Sequence, residues 1–262
     1  MKKSPLISVV TVSYNAVSTI EDTILSVIDQ SFDDFEYLII DGGSSDGTLD
    51  VIQKYNSHID CLLSESDRGI YDGMNKAIRN AQGQWILFMN CGDMFADSNV
   101  LKSLESSLRN PCLGVVYGDT IYQTTIGRYL LYPDSLSAMD FHLPFCHQSC
   151  LVRTELIREA PFDLSYRYVA DYDLFYRLYK RGVSFHYEHF PIAVYDSTDG
   201  FTATHRTSCT LEHFKVNQRR PSWGFIARLK LTNFLFRLLP VFCINAIRKK
   251  KYQADPRFVA LP

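Results

Sequence analysis

No two cysteines in this chain are spaced Cys-x-x-Cys, and the seven present are an odd number scattered through apolar runs such as DCLLS and PVFCIN. That excludes a disulfide framework as the organising device and leaves packed thiols in a reducing compartment as the expectation. Cys146, His147 and Cys150 stand close together, yet no second ligand pair completes a zinc spacing. No stretch reaches the ~18 uninterrupted apolar residues of a spanning helix. The opening MKKSPLISVVTVSYN has two lysines and then an apolar run broken by Ser and Asn, with no small-residue cleavage site after it. A secretory signal is therefore not expected, and a cytoplasmic protein is. Two glycine signatures are missing as well: GxGxxG after the first strand and GxxxxGK[ST] anywhere. Their absence argues against a dinucleotide-dependent oxidoreductase and a P-loop enzyme. Internal repeats and low-complexity tracts are also wanting.

Acid is missing from one region only. Between His213 and Lys251 there are ten Lys or Arg (Lys215, Arg219, Arg220, Arg228, Lys230, Arg237 and Arg248 to Lys251) and no Asp or Glu. The remainder carries 17 cations against 29 acids, a net charge of −12. An acidic body with a basic tail implies a surface-bound partner of opposite charge. In other respects the composition is that of a soluble globular protein: 262 residues, 46% hydrophobic and 21% charged, enough for one large domain or two small ones.

The first half alternates strand and helix. LISVVTVSYN is the β-branched run expected of a strand buried on both faces. Ser18 is placed to cap a helix over TIEDTILSVIDQ, whose Ile20, Ile24, Val27 and Ile28 share a face. FEYLIIDGG, IDCLLSES and QWILFMN read as three further strands, with helices at SSDGTLDVIQKY and GIYDGMNKAIRNAQG between them. Such alternation with short links implies a parallel sheet covered by helices. After Cys112 the pattern changes. LGVVYGDTIYQ and GRYLLYP suggest antiparallel strands, TELIREA and ADYDLFYRLYKRG helices, and VSFHYEHFPIAVYDS another strand. From Trp223 the chain is helical, apolar and basic.

Ligands of a parallel α/β sheet bind at the carboxyl ends of its strands. Here the first four strands end in Ser13-Tyr14-Asn15, Asp41-Gly42-Gly43, Glu65-Ser66-Asp67-Arg68 and Asn90-Cys91-Gly92-Asp93. Those side chains suit a base, phosphates and a metal, although Asp and Gly are also ordinary turn residues.

ISVVTVSYNA, IIDGGSSDGT, SESDRGIYDGMNKAIRNAQGQWILFMNCGD, HQSCLVR and ADYDLFYRL follow one another as in the family-2 inverting glycosyltransferases, and the chain resembles that family over roughly residues 6–200. It is most similar to bacterial enzymes that build O-antigen, capsule or colanic-acid-type polysaccharides. The resemblance implies the GT-A (nucleotide-diphospho-sugar transferase) fold, an α/β architecture with a mostly parallel central sheet flanked by helices, here with a basic apolar C-terminal helical segment. It implies that Thr11, Tyr14, Asn15 and Asp41 hold the nucleotide, with Asp41 accepting from the base, and that Arg68 approaches the diphosphate. Asn90 to Asp93 corresponds to the metal motif. Asp93 would carry Mn²⁺ or Mg²⁺, and Asn90 and Gly92 would lie against the nucleotide sugar. Asp171 corresponds to the catalytic base, and His147, Gln148 and Asp173 fall on the acceptor side.

The chemistry requires such parts. Loss of a nucleoside diphosphate needs its growing negative charge neutralised, which a hard divalent cation held by carboxylate and phosphate oxygens does. Inversion needs a carboxylate on the opposite face to take the acceptor's proton. The chain departs from the family at Gly92 and Asn90, where relatives often carry acids, and at Ala170, where another acid often precedes the base. Metal binding that is weak without substrate follows, with Asp171 acting alone or with Asp173.

Plainer readings stand beside these. Asp171 is placed to cap a helix and Asp173 to pair with Arg177 at i,i+4. Tyr14 is one of 16 tyrosines and fits a core as well. Asp67-Arg68 fits a solvated loop pair, and His147-Gln148 a buried hydrogen-bonded one. His186 and His189 read as strand residues. His205 follows a glycine turn and is placed to close over the diphosphate. In the tail, Ile226, Leu229, Leu235 and Leu238 fit packing against the body, whereas cations interleaved with Trp223, Phe225, Phe234, Phe236 and Phe242 fit helices lying on an anionic leaflet. No nucleic-acid motif is present.

The expectation is a catalytic domain over 1–205, with a nucleotide half to about 111 and an acceptor half from 112, followed by a helical segment over 206–262. It would move a hexose or N-acetylhexosamine from a nucleotide-diphosphate sugar, uridine being the expected base, to a saccharide on a polyprenyl diphosphate. Its place would be the inner face of the cell membrane, in surface polysaccharide synthesis. A sugar-phosphate nucleotidyltransferase and an inactive nucleotide-sugar-binding scaffold are the alternatives.

Overall fold

The computed structural model describes residues 4–197 and 205–261, with backbone alone at 206 and 237. Its four leading strands are β1 (Ile7–Ser13), β2 (Phe35–Asp41), β3 (Cys61–Ser64) and β4 (Trp85–Phe88), joined through helices α1 (Ile20–Ile28), α2 (Thr48–Gln53) and α3 (Ile70–Asn80). All pair in parallel, in the order β4, β1, β2, β3. The doubly apolar runs explain this. In β1, Val10 and Val12 enter one core and Ile7 and Val9 the other; in β2, Leu38 and Ile40 are opposed to Tyr37 and Ile39 in the same way. A period of two with both faces buried requires helices on both sides of the sheet. Ser18, expected to cap α1, instead precedes the cap residue Thr19, which makes no side-chain capping bond.

The second half extends the same sheet. It comprises β5 (Met94–Phe95), α4 (Val100–Leu108), β6 (Val115–Thr124), β7 (Gly127–Leu131), β8 (Cys150–Arg153), α5 (Thr154–Glu159), α6 (Ala170–Lys180) and β9 (Phe185–Asp196). β6 and β7 form the expected antiparallel pair. The short strands β5 and β8 and the helix α4 lie outside the elements expected from the sequence. β8 enters between β4 and β6, antiparallel to both. Its amino end therefore lies at the edge where the parallel strands have their carboxyl ends. β9 runs parallel to β6 and also pairs with β5. Together β1 to β4, β6, β9 and the last strand run one way and β5, β7 and β8 the other.

The tail forms α7 (Arg206–Val216), α8 (Trp223–Leu238), α9 (Val241–Ala254) and a closing strand β10 (Phe258–Ala260) on the outer edge of β7. The glycine turn expected before His205 lies outside the described residues. His205 itself stands just ahead of α7, its ring stacked 5.1 Å from that of Tyr168.

Candidate active site

The register of the leading strands sets Ser13 beside Asp41 and Asp41 beside Ser64. Asp41 is fully buried. One of its oxygens accepts from the Ser13 and Ser44 hydroxyls at 3.0 and 2.5 Å. The other accepts from the Gly43 and Ser44 N–H groups and the Ser64 hydroxyl at 3.0, 2.9 and 2.8 Å. Burial pushes this carboxyl up, but the serine hydrogen bonds outweigh burial and hold it below its ordinary value. Asp41, expected to accept from a nucleobase, thus spends both oxygens in this structure on ordering the loop after β2. Asn15 fastens that loop to β1: its N–H donates to Ser44 Oγ at 2.8 Å and its side-chain oxygen accepts from the Ser45 N–H at 3.0 Å. Tyr14 is 65% exposed beside it and open to a planar ligand.

Thr11 requires correction. It lies inside β1, fully buried, and its hydroxyl meets that of Tyr37 at 2.9 Å. It stands two residues short of the strand end, inside the fold, whereas Ser13 closes the strand beside Asp41. Arg68 is exposed and leans on Asp72, with its Nε 3.4 Å from the carboxylate.

At the end of β4 the chain turns. The Asp93 N–H donates to the Asn90 carbonyl at 3.0 Å, and Gly92 adopts φ +93°, a backbone conformation that favours glycine. Thr23 of α1 clamps the turn: its hydroxyl donates to the Asp93 carbonyl at 2.9 Å and accepts from the Gly92 N–H at 3.0 Å. Asp93 is thereby turned into a cleft of about 690 Å³ that also takes in Asn90, His147, Gln148, Asp171 and Asp196. Burial pushes the Asp93 carboxyl up to about 7, against the pull of His147, the Gln148 side chain and the Asp196 N–H. The Asp196 carboxylate adds to the rise. A buried carboxylate next to a second one is a strained charge that a cation relieves.

His147 and Gln148 arrive on the turn that precedes β8, which the antiparallel entry of that strand carries to this edge. His147 Nε2 lies 3.4 Å from Asn90 Nδ2, and its Nδ1 lies 3.3 Å from Asp171 Oδ2. The Tyr71 hydroxyl donates to Asp171 Oδ1 at 3.0 Å. Burial alone would raise the Asp171 carboxyl; His147, the Tyr172 N–H and Tyr71 outweigh it and hold Asp171 below its ordinary value. Asp171 sits in the first turn of α6, whose amino end favours an anion.

Asp173 also requires correction. Two residues on along a helix points elsewhere, and its carboxylate pairs with Arg177 at 2.8 Å outside the cleft. His186 and His189 lie on β9 away from the cleft, in keeping with their reading as strand residues.

The donor set fits a divalent cation. Asn90 Oδ1 is buried without a hydrogen-bond partner, one of two such side-chain atoms among the described residues. With Asp93 it offers two hard oxygens facing the cleft, and Mg²⁺ or Mn²⁺ takes its remaining ligands from phosphate and water. Among the described residues no cluster of three or more His, Cys, Asp or Glu could hold a metal alone. Sequence reasoning missed Asp196, Tyr71 and Thr23. Each comes to the site through a pairing made far along the chain.

The Glycosyl transferase family 2 profile matches residues 8–183, two thirds of the chain. The chain is a family 2 glycosyltransferase. Among its relatives, the PGL/p-HBAD biosynthesis glycosyltransferase of Mycobacterium tuberculosis is 28% identical over 207 residues, covering 77% of this chain and 80% of the relative. The putative teichuronic acid biosynthesis glycosyltransferase TuaG of Bacillus subtilis is 34% identical over 142 residues, 52% of this chain and 56% of that protein. Solved structures share the fold. S. aureus TarS 1-349 in complex with UDP superposes with a TM-score of 0.60 at 17% identity, covering 80% of this chain and 72% of that one. The mannosyltransferase PcManGT of Pyrobaculum calidifontis, in complex with GDP-Man and Mn²⁺, gives 0.64 at 17% identity, covering 84% and 66%. This family 2 glycosyltransferase therefore has the GT-A fold and acts in glycan or polysaccharide biosynthesis. The nucleotidyltransferase alternative is set aside by the family match.

Proposed function

We propose that this glycosyltransferase inverts the anomeric carbon of a nucleotide-diphosphate sugar, a UDP-hexose or UDP-N-acetylhexosamine. The acceptor would be a saccharide carried on a polyprenyl diphosphate at the inner face of the cell membrane. The observation that carries this reading is the meeting of two differently tuned carboxylates in one cleft: Asp93 raised by burial, Asp171 lowered by its hydrogen bonds. Environments that push two carboxyls apart assign them separate roles.

Tyr14 offers its exposed ring to the base. The loop ordered by Asp41 would border the path of the ribose and diphosphate, and Arg68 would swing off Asp72 to reach it. Asn90 Oδ1 and Asp93 would hold the divalent ion, and Asp196 adds negative charge at the same point. When bound, Mn²⁺ or Mg²⁺ neutralises the charge that grows on the departing diphosphate. Asp171, kept ionised, takes the proton of the attacking acceptor hydroxyl. Tyr71 and His147 fix its two oxygens so that one lone pair faces the reacting centre.

The carboxyl held below its ordinary value fits this role, since the base must be ionised before the acceptor arrives. The test is product analysis with UDP-sugars and polyprenyl-diphosphate saccharides, scoring anomeric configuration by NMR. A product of inverted configuration made only with divalent metal supports the proposal. Retained configuration, or full activity in EDTA, defeats it. UDP binding with no turnover on any acceptor would leave only the scaffold role.

A further inference from the structure

The helix α8 carries an uncovered apolar stripe. At 3.6 residues per turn, Trp223, Ala227, Leu231, Phe234, Leu235 and Leu238 fall within an arc of ~120°. All six are exposed, Trp223 at 88%, Phe234 at 59% and Leu238 at 66%. The opposite face is the one that packs: Ile226, Leu229, Asn233 and Phe236 are partly covered, and Phe225 meets the ring of Phe214 of α7 at 5.2 Å. Lys230 and Arg228 border the stripe on its two sides. Past the bend at Pro240 the stripe continues into Val241 and Phe242, 72% and 74% exposed, and then into the exposed cations Lys249, Lys250 and Lys251. No described helix is long and apolar enough to cross a membrane.

We infer that this stripe and its basic border lie in the interface of an anionic lipid bilayer. Aromatic and leucine side chains would enter the acyl boundary while the cations reach phosphate headgroups. Charge selects this occupant. A second copy packed stripe to stripe would set cation against cation, since the whole segment lacks acid. Among the described residues its acidic body offers charge but no matching apolar face, and a nucleic acid would leave the apolar stripe in water. Both ends of the helix pair are stitched to the walls of the cleft. On one side Glu212 of α7 accepts from the N–H groups of Arg167 and Tyr168, just before Asp171, at 3.0 and 2.8 Å. On the other, α9 leads to Arg257, which lines the cleft, and to β10 on β7. A bilayer-bound α8 would thus hold the acceptor side of the cleft against the surface that carries the acceptor. That last step rests on the proposed acceptor; the surface itself does not.

The chain has two tryptophans, and Trp85 is fully buried, so a change of emission on adding vesicles reports Trp223. Full-length protein is titrated with vesicles of phosphatidylcholine alone or mixed with phosphatidylglycerol, by emission and by co-sedimentation. The expected result is a blue shift and sedimentation with anionic vesicles only, weakened by salt. Phe234→Glu with Leu238→Glu should weaken partition by roughly a hundredfold, with unchanged thermal unfolding and UDP binding. Lys249→Gln, Lys250→Gln and Lys251→Gln together should remove the preference for anionic lipid. Absence of vesicle binding overturns the inference. So does binding indifferent to the stripe substitutions, or a concentration-dependent dimer that those substitutions break. A chain that binds vesicles as stated but no UDP keeps this surface and loses the donor reading.

Discussion

At the scale of single residues, Asp93 and Asp171 show how one chemical group is tuned in opposite directions by its surroundings. Asp93 is buried with a carboxyl raised to about 7 from an ordinary 3.8. Between those values the folded chain holds a proton that the unfolded chain lacks, so stability falls as pH rises through that window. Without divalent ion, Asp93→Asn should therefore melt higher than wild type at pH 8, by up to roughly 4 kcal/mol, and the gap should close by about pH 4. Thermal unfolding at both pH values checks this, and a gap independent of pH would contradict it. Asp171→Asn should lower kcat by roughly 10²–10⁴ and leave UDP affinity unchanged; a matching loss of UDP binding would remove Asp171 from its role. Thr11→Val, a buried change that removes the hydroxyl meeting Tyr37, should cost about 1 kcal/mol of stability and nothing in UDP affinity by calorimetry.

At the scale of elements, what was legible follows from how long and how apolar each run is. The seven-residue strands β1 and β2 and the twelve-residue β9 were readable because each is a long apolar or alternating run. The four residues of β8 and the two of β5 are too short to show a period, and only their pairing makes them strands. The site divides in the same way. Asp93 and Asp171 stand at strand and helix ends that the sequence marks. Asp196 closes β9 and looks like its turn residue, until β5 pairs with β9 and its N–H meets Asp93 Oδ1 at 3.3 Å across 103 positions. Thr11 was expected at the ligand edge because polar residues within a strand and at its end look alike in sequence; only the strand's extent distinguishes them, with Ser13 closing β1 two residues after Thr11. Two glycines test the element geometry. A Cβ at Gly83 would lie 2.5 Å from the Ser8 backbone nitrogen, whereas at Gly92 nothing stands within 4 Å and only the φ of +93° objects. Gly83→Ala should cost about 3 kcal/mol and Gly92→Ala about 1 kcal/mol, read from urea midpoints; the reverse order would refute this account of the two turns.

At the scale of the whole molecule, one continuous sheet joins the leading parallel strands to the mixed strands that follow. The parallel strands bring Asn90 and Asp93 to one edge, and the antiparallel entry of β8 brings His147 to stand between Asn90 and Asp171. The bipartite charge pattern was readable from the sequence. The side of α8 that it exposes was not, because Leu235 and Leu238 fit packing and exposure equally well until the helix is set against α7. Those two are exposed, while Ile226 and Leu229 on the facing side are partly covered.

All of this depends on a diphosphate being held through Asp93. The direct test is calorimetric titration of UDP with and without Mn²⁺ on wild type, Asp93→Ala and Asp171→Asn. Metal-dependent binding that is lost in Asp93→Ala and kept in Asp171→Asn is the predicted result. Binding that ignores both Mn²⁺ and the Asp93 substitution would contradict it and reduce Asp93 to a residue of the turn.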